Sequence, residues 1–157
     1  MTERNELRRA GCRVHRRTVG GCDRVERTSD TVKRVYLAGP PYAEEYRRRA
    51  DALIREMGWA PVDPMRRDFR GRTQGKEAEI VEGDLADIES CDAVLAAFTV
   101  PDEGTAMEAW YARSLGKLIV AYTGGTPPHP WTVYVADVIC EDLEPAVLAL
   151  SDHHAVD

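Results

Sequence analysis

Apolar residues follow two spacings in turn from residue 33 to the carboxyl end of the chain. The run RVYLAG, at 34–39, is short and continuous, which is typical of a buried strand. In the next segment apolar residues recur every three or four positions and predict one helix that ends before Gly58. The apolar stripe of that helix consists of Ala43, Tyr46, Ala50, Leu53, Ile54 and Met57.

The same alternation predicts four more strands and four more helices. The strands are WAPV (59–62), DAVLAAF (92–98), KLIVAYT (117–123) and the short VIC (138–140). The helices are KEAEIVEGDLADIESC (76–91), TAMEAWYARSLG (105–116), the short WTVYVAD (131–137) and EDLEPAVLAL (141–150). Gly and Pro punctuate the long polar loop that follows the second strand.

Strands that alternate with amphipathic helices at short spacing predict an α/β fold. We expect a single domain over residues 32–151, with a doubly wound parallel five-stranded sheet and helices on both faces, of the Rossmann or flavodoxin-like type. In such sheets ligands bind beyond the carboxyl ends of the strands. The loops after the first and third strands, and the helix before the third strand, should therefore meet at one site.

The two ends of the chain lack this pattern. Residues 1–31 are rich in arginine and have few large apolar side chains, so we predict a disordered basic tail. An RNA-binding arm is the functional alternative, but a solvated charge run is the commoner role for such a segment. Residues 152–157 are predicted to form a short C-terminal tail.

Composition narrows the function classes. The 157 residues carry a net charge of −6, which argues against a nucleic acid polymer as partner because such binding depends on clustered basic residues. No stretch reaches the roughly 20 apolar residues of a membrane span, and the amino terminus has no apolar signal core. We therefore expect a cytoplasmic protein without a membrane partner.

The four cysteines form no CxxC pair. Cys12, His15 and Cys22 supply three ligands, whereas a closed zinc site needs four, so no metal site is expected. Cys91 and Cys140 lie beside apolar runs and are expected in the core. We predict reduced cysteines without function, and the sequence indicates no cofactor.

The break after the first strand has a physical interpretation. Gly39 lets the backbone approach a ligand closely, and Pro40 fixes the turn without offering an amide donor. An anion cradle of successive N–H groups is therefore not expected there, and the chain contains neither a GxGxxG nor a GxxxxGK[ST] loop.

The segment DEGTAMEA, at 102–109, admits two interpretations. Gly104 and Thr105 resemble a helix start, with Thr105 as the N-cap and Glu108 at the third helical position. A capping box is one interpretation of this spacing. The other is that a carboxylate on the first helical turn stays ionised beside the positive end of the helix dipole and serves as a nucleophile.

Three segments together resemble the nucleoside 2-deoxyribosyltransferases. They are VYLAGP on the first strand, GDLADIESCDAVLA on the second helix and third strand, and DEGTAMEAWYARSLGKLIVAY, and the resemblance covers residues 33–122. It implies that Tyr36, Asp84, Asp102 and Glu108 line a pocket for a deoxyribonucleoside. It also implies a homo-oligomer, because family members complete their pocket with residues of a neighbour.

The resemblance implies a role for each of these residues. Glu108 would form a covalent glycosyl ester, Asp84 would exchange a proton with the base, Tyr36 would orient Glu108, and Asp102 would bind the 5′-hydroxyl. Substrate contacts are also expected from Gly39, Pro40, Gly104 and Thr105. The expected partners are a deoxynucleoside or nucleotide and a nucleobase.

Three alternatives remain open at this point. Asp84 is equally consistent with the exposed face of an amphipathic helix. A related nucleoside 5′-monophosphate N-glycosidase would hydrolyse nucleotides, and four arginines could offset the charge of Asp102 beside a phosphate, namely Arg66, Arg67, Arg70 and Arg72. A non-catalytic nucleotide-sensing module would use the same fold without chemistry.

Overall fold

A computed structural model describes residues 7–8, 10–15 and 31–152. Six strands form one sheet in the order β1-β6-β5-β4-β2-β3. The strands are β1 (Cys12–Val14), β2 (Arg34–Ala38), β3 (Ala60–Val62), β4 (Ala93–Ala97), β5 (Leu118–Tyr122) and β6 (Val138–Cys140). Strands β2 to β6 pair in parallel, which confirms the predicted α/β fold.

Helices cover both faces of this sheet. They are α1 (Glu44–Glu56), α2 (Glu77–Ser90), α3 (Glu103–Ser114), α4 (Pro130–Val135) and α5 (Leu143–Asp152), with a 3₁₀ turn at Pro64–Arg66. Neighbouring side chains of a strand point to opposite faces, so β2 contributes to two cores. Val35 and Leu37 pack with α1 and α5, whereas Tyr36 and Ala38 pack with α2, α3 and α4.

The sheet has one strand more than the five predicted. Cys12–Val14, inside the segment predicted as a disordered tail, pairs antiparallel with β6. A strand of three residues carries too few positions for a period of two to be recognised, and its partner lies far away in the sequence. The rest of the predicted tails, residues 1–6, 9, 16–30 and 153–157, lies outside the described residues.

The cysteine prediction is corrected for one pair. Cys12 and Cys140 face each other in the β1–β6 ladder and form a disulfide. Cys12 is therefore unavailable as a thiolate ligand for the metal site considered above, and Cys22 of that set lies outside the described residues. Cys91 and Cys140 are buried as expected, and the Cys91 thiol is free.

The topology creates a crevice at the carboxyl ends of β2 and β4. Strand β2 leads into α1 on one face and has β3 beside it, while β4 leads into α3 on the other face and continues towards β5. The helices that follow these two neighbouring strands thus lie on opposite faces of the sheet. The crevice between two such strands, at their carboxyl ends, is where parallel α/β sheets bind ligands. In the part of the chain that the structure describes, no helix is both long and apolar enough to cross a membrane.

Candidate active site

Tyr36 and Glu108 meet at the carboxyl edge of the sheet, although 72 residues separate them. Tyr36 lies in the middle of β2 and is fully buried, and its hydroxyl donates a hydrogen bond of 2.9 Å to Oε1 of Glu108. Glu108 projects from α3, the helix that follows β4. The pairing predicted for these two residues is therefore present in the geometry.

Glu108 does not lie on the first turn of its helix. Helix α3 begins at Glu103, so Glu108 occupies the second turn, beyond the strongest field of the helix dipole. Burial raises the pKa of Glu108 to about 8, and the negative charge of Asp84 adds to this effect. The hydrogen bond from Tyr36 and the charge of Arg47 oppose the rise without cancelling it. The expectation of a carboxylate kept ionised by the dipole is therefore wrong.

The start of α3 is capped by Asp102 rather than by Thr105. Oδ2 of Asp102 accepts hydrogen bonds from the backbone N–H of Thr105 at 2.8 Å and from its hydroxyl at 2.7 Å. The capping box predicted for Thr105 and Glu108 is therefore wrong, because the backbone N–H of Thr105 already donates to the Asp102 carboxylate. Gly104 lies in the first turn, where an added Cβ would stand at an ordinary contact distance of 3.5 Å from Asp102.

Asp84 belongs to a network in which carboxylates on α2 pair with two arginines at the end of the 3₁₀ turn. Arg67 donates hydrogen bonds to Asp84 at 3.1 Å and to Asp87 at 2.7 Å, and Arg66 binds both oxygens of Asp87. A Cβ at Gly83 would stand only 3.1 Å from the Arg67 guanidinium, so the missing side chain leaves room for it. The Asp84 side chain is 20% exposed, which disfavours the interpretation as a solvated helix face.

The two aspartates of this network differ in acidity. Burial raises the pKa of Asp84, and the single hydrogen bond from Arg67 only partly offsets that effect. Asp87 experiences a smaller cost of burial, and the hydrogen bonds from Arg66 and Arg67 lower its pKa. Asp84 therefore holds a proton more readily than Asp87 does, and its charge reaches both Tyr36 and Glu108.

Two side chains of α1, Tyr46 and Arg47, fix the loop after β2 through hydrogen bonds. A Cβ at Gly39 would lie 2.9 Å from the ring of Tyr46, so the glycine accommodates this ring rather than leaving open space for a ligand. The Tyr46 hydroxyl donates to the carbonyl oxygens of Ala38 and Leu95 at 3.0 and 2.9 Å. The carbonyls of Gly39 and Pro40 both accept from Arg47, at 2.6 and 3.1 Å. We therefore assign both positions to the support of the site.

Four arginines could offset a phosphate charge, and all four have partners in the chain. Arg66 and Arg67 bind the α2 aspartates, Arg70 binds Asp68 and Glu44, and Arg72 donates to the carbonyl of Asp68. Three of the four charges are thus paired with carboxylates, which disfavours the nucleotide alternative, while the partner of Arg72 is a neutral carbonyl.

Arg47 and Gly83 were not among the predicted site residues. A glycine inside a helical pattern was a usable signal for Gly83, since it costs helix stability and implies a close neighbour. Arg47 is the first of three consecutive arginines, so its burial could not be inferred from the pattern.

Comparison with known proteins gives one family. The family model described as nucleoside 2-deoxyribosyltransferase matches residues 35–147. Among solved structures, the chain is similar to the 2-deoxyribosyltransferase of the psychrotolerant bacterium Bacillus psychrosaccharolyticus, with 20% identity and a TM-score of 0.58 over 79% of this chain and 92% of that chain. This second likeness concerns the fold. No curated protein matches the chain significantly.

Proposed function

Because the chain belongs to the nucleoside 2-deoxyribosyltransferase family, we propose that it transfers 2-deoxyribose between nucleobases through a covalent ester on Glu108. The observation that carries this proposal is the hydrogen bond from the buried Tyr36 hydroxyl to Glu108, with the charge of Asp84 close enough to raise the pKa of both groups. A nucleophile, its orienting donor and a proton donor are the groups that such a transfer requires.

In the first half-reaction, a Glu108 oxygen attacks C1′ of the deoxyribose on the face opposite the base. The C1′–N bond breaks, and its electron pair passes to the base nitrogen. Asp84 donates a proton to the departing base, so that a neutral base and a glycosyl ester result. Tyr36 holds one oxygen of Glu108 and directs the other towards the sugar.

The second half-reaction reverses these roles. A nitrogen of the acceptor base attacks C1′, the ester bond breaks, and Glu108 regains its negative charge. Asp84, now ionised, accepts the proton that the acceptor nitrogen loses. Two displacements at the same carbon return the original configuration.

The two carboxyl groups share the proton balance of this cycle. Burial raises the pKa of both Glu108 and Asp84, and the negative charge of Asp84 also raises the pKa of Glu108. The reactive form carries a proton on Asp84 and none on Glu108. Because the two carboxyl groups interact, the pair rather than either residue sets the dependence of the rate on pH.

Asp102 supports the sugar in this proposal. Its Oδ2 is engaged by Thr105, and Oδ1 remains for a substrate hydroxyl. The 5′-hydroxyl is the group we assign to it, with Gly104 and Thr105 forming the adjoining helix start. A 5′-phosphate would meet the negative charge of Asp102, and three of the four arginines described above are already paired with carboxylates, so the N-glycosidase for monophosphates ranks second.

The test is base release and transfer in vitro. We expect wild-type protein to release base from deoxynucleosides and to exchange bases when a second base is present, followed by chromatography. Mass spectrometry of the quenched protein should detect a deoxyribosyl group on Glu108. Glu108→Ala should lower turnover at least about a thousandfold, whereas Glu103→Ala, an exposed position on the same helix, should retain it.

Three outcomes would contradict the proposal. Full activity of Glu108→Ala would exclude the covalent ester, and a preference for 5′-monophosphates would favour the hydrolase. Absence of base release from every deoxynucleoside and deoxynucleotide would favour the sensing module.

A further inference from the structure

One nitrogen of Arg67 is shared between two aspartates of α2. Nη2 of Arg67 donates to Oδ2 of Asp87 at 2.7 Å and to Oδ1 of Asp84 at 3.1 Å. Within residues 31–152, this longer contact is the only hydrogen bond that the Asp84 side chain accepts. The arginine thus lies closer to Asp87 than to the predicted proton donor.

Asp87 is held by a second arginine as well. Nη1 and Nη2 of Arg66 donate to its two carboxylate oxygens at 2.8 and 2.7 Å, which is the bidentate geometry of a strong ion pair. Nη1 of Arg66 also donates to the carbonyl of Asp63 at 3.0 Å. Asp87 therefore accepts hydrogen bonds from two guanidinium groups and stays ionised, and its charge holds Arg67 in place.

The backbone brings both arginines to the carboxyl edge of the sheet. They follow β3, which pairs with β2 in a register that sets Val62 beside Tyr36. The 3₁₀ turn after β3 is capped by the Asp63 side chain, and Arg67 ends this turn. A Cβ at Gly83 would stand 3.1 Å from the Arg67 guanidinium, so the glycine gives this group room to reach Asp84.

The neutralisation of Asp84 is incomplete. The charged and titratable groups around it are Arg66 and Arg67 of the 3₁₀ turn and its end, Asp87 of α2, Tyr36 of β2 and Glu108 of α3. Burial raises the pKa of Asp84, and the hydrogen bond from Arg67 lowers it without cancelling the rise. The charge of Asp87 adds to the rise.

A group that first donates and then accepts a proton needs such incomplete neutralisation. A carboxylate with a full set of arginine hydrogen bonds stays ionised, as Asp87 does, and cannot donate. A buried carboxyl group without any cation stays protonated and cannot accept. One shared hydrogen bond of 3.1 Å lies between these two cases and keeps both forms of Asp84 accessible.

We propose that Arg67 and Asp87 are positioning residues of the transfer reaction. Asp87, fixed by Arg66, holds the Arg67 guanidinium so that Asp84 receives one shared hydrogen bond and can act first as an acid and then as a base. This assignment rests on the proposed function for the role of Asp84. Neither positioning residue contacts the substrate in it.

Titration of the Asp84 carboxyl group tests the assignment without catalysis. In the full chain labelled with carbon-13 at the aspartate carboxyl groups, nuclear magnetic resonance follows each group, and Asp84→Asn identifies the Asp84 signal. In the wild type Asp84 should titrate at a higher pH than Asp87.

Two variants should move this titration in opposite directions. Asp87→Asn removes a negative charge and leaves Arg67 to Asp84, so the Asp84 titration should move to lower pH by about half a pH unit or more. Arg67→Gln removes the cation that pairs with Asp84, so the titration should move to higher pH by about the same amount.

Asp51 and Arg55 provide the matched controls, because they form an ion pair on α1. Asp51→Asn and Arg55→Gln make the same two changes there and should leave the Asp84 titration unmoved. Shifts of Asp84 in the same direction in both test variants, or no shift in either, would overturn the assignment. The wild type decides even if a variant fails to fold, because an Asp84 that titrates at or below the pH of Asp87 would also overturn it.

Turnover separates this assignment from the proposed function. The pH profile of kcat/KM should move to lower pH in Asp87→Asn and to higher pH in Arg67→Gln, whereas a purely structural role would lower the rate without moving the profile. Base transfer with an unmoved profile and an unmoved Asp84 titration in both variants would refute the positioning role and leave the transferase. Opposite shifts of the Asp84 titration without base release from any deoxynucleoside would refute the transferase and leave the effect of Arg67 and Asp87 on Asp84.

Discussion

At the scale of single residues, Glu108 is governed by groups that act on its charge in opposite directions. Burial and Asp84 favour the protonated form, and Tyr36 and Arg47 favour the ionised form. A poorly solvated carboxylate is a stronger nucleophile once it loses its proton, because little water must be displaced. The ionised form of Glu108 therefore lowers the stability of the fold and raises the reactivity of the carboxylate.

Because the buried Glu108 charge is destabilising, Glu108→Gln should increase the free energy of unfolding, and the increase should depend on pH. The folded protein binds the Glu108 proton more tightly than the unfolded chain, so this contribution is complete below pH 4.5 and is lost as the pH rises through about 8. Gln stays neutral, and at pH 9 we expect a gain of at least ~1 kcal/mol, which is a rise in Tm of roughly 2–4 °C.

Thermal unfolding at pH 4 and pH 9 measures this effect. Glu103→Gln, at an exposed position of α3, should show no such dependence on pH. A gain for Glu108→Gln that is equal at both pH values would mean that the Glu108 charge is not destabilising in the fold.

Tyr36→Phe tests the orienting role. The ring packing is retained and only the hydrogen bond to Glu108 is lost. We expect kcat/KM to fall by about tenfold or more, and the ascending limb of the pH profile to move to higher pH because a group that lowers the pKa of Glu108 has been removed. Tyr111→Phe, which removes a hydroxyl bound to Glu89, should change neither quantity. A loss of rate with an unmoved pH limb would indicate a purely structural effect.

The residues of the site were predictable to different degrees. Tyr36 and Glu108 were paired through the family resemblance, which spans their separation along the chain. The cap of α3 was not predicted correctly, because Asp102 and Thr105 are both good N-caps and sequence spacing does not decide which one receives the helix. The pKa of Glu108 depends on burial, which no local pattern specifies.

At the scale of elements, α2 contains Gly83, a residue of low helix propensity, at the point where it contacts Arg67. Gly83 is the position where the Arg67 side chain crosses the helix to reach Asp84. Alanine at this position would favour the helix by up to about 1 kcal/mol. The added methyl group would also force the Arg67 guanidinium to shift by a few tenths of an ångström, which weakens its 3.1 Å hydrogen bond to Asp84.

We therefore expect Gly83→Ala to fold with equal or higher Tm and yet to lose activity. With a weaker hydrogen bond from Arg67, the pKa of Asp84 should rise further, and the pH profile of kcat/KM should shift together with the loss of activity. Differential scanning calorimetry and initial rates measure the two effects. Glu82→Ala, the exposed neighbour, is the control that should change neither, and an unchanged pH profile in Gly83→Ala would exclude a role for Arg67.

The order of strands and helices was predictable because apolar periodicity is a local property. The predicted helix start at Thr105 was two residues late, since the polar residues 103–104 carry no apolar signal. The buried arginine on α1 had no sequence signal, because its burial results from contact with the loop after β2.

At the scale of the whole molecule, β1 and the disulfide attach the amino-terminal segment to the sheet. The sequence pattern predicts a disordered tail over residues 1–31, whereas the structure gives this segment a strand and a covalent bridge. Such long-range pairing cannot be inferred from three residues of sequence.

Cys12→Ser should therefore lower the free energy of unfolding by about 2 to 4 kcal/mol. Urea denaturation with and without dithiothreitol is the measurement, and the reductant should destabilise the wild type but not the variant. Cys22→Ser provides a control of the same chemistry and should still respond to the reductant. A wild type that is indifferent to dithiothreitol would argue against the bridge.

We also propose that the protein self-associates through an exposed aromatic surface, the α3–α4 patch, formed by Met107, Trp110, Trp131 and Tyr134. These side chains are 48 to 71% exposed, and the Trp110 ring lies 5.6 Å from Trp131 and 6.4 Å from Tyr134. Contiguous exposed apolar surface of this kind favours a protein partner. A second copy is the expected occupant, since the patch includes the helix that bears Glu108.

Sedimentation velocity tests this expectation. Trp110→Glu should shift the protein towards the monomer, whereas Val81→Glu, an exposed apolar position on α2, should not. A wild type that is monomeric and fully active at assay concentration would refute the proposal.

The two ends of the described sheet are poor templates for another chain. Strand β3 contains Pro61, which has no N–H to donate, and β1 is short and exposes Arg13. Strand β6 is different, because Val138, Ile139 and Cys140 are apolar and pairing-competent once β1 departs. Reduction of the Cys12–Cys140 disulfide weakens the attachment of β1 to β6. A reducing medium would therefore expose the unpaired backbone of β6 and favour aggregation.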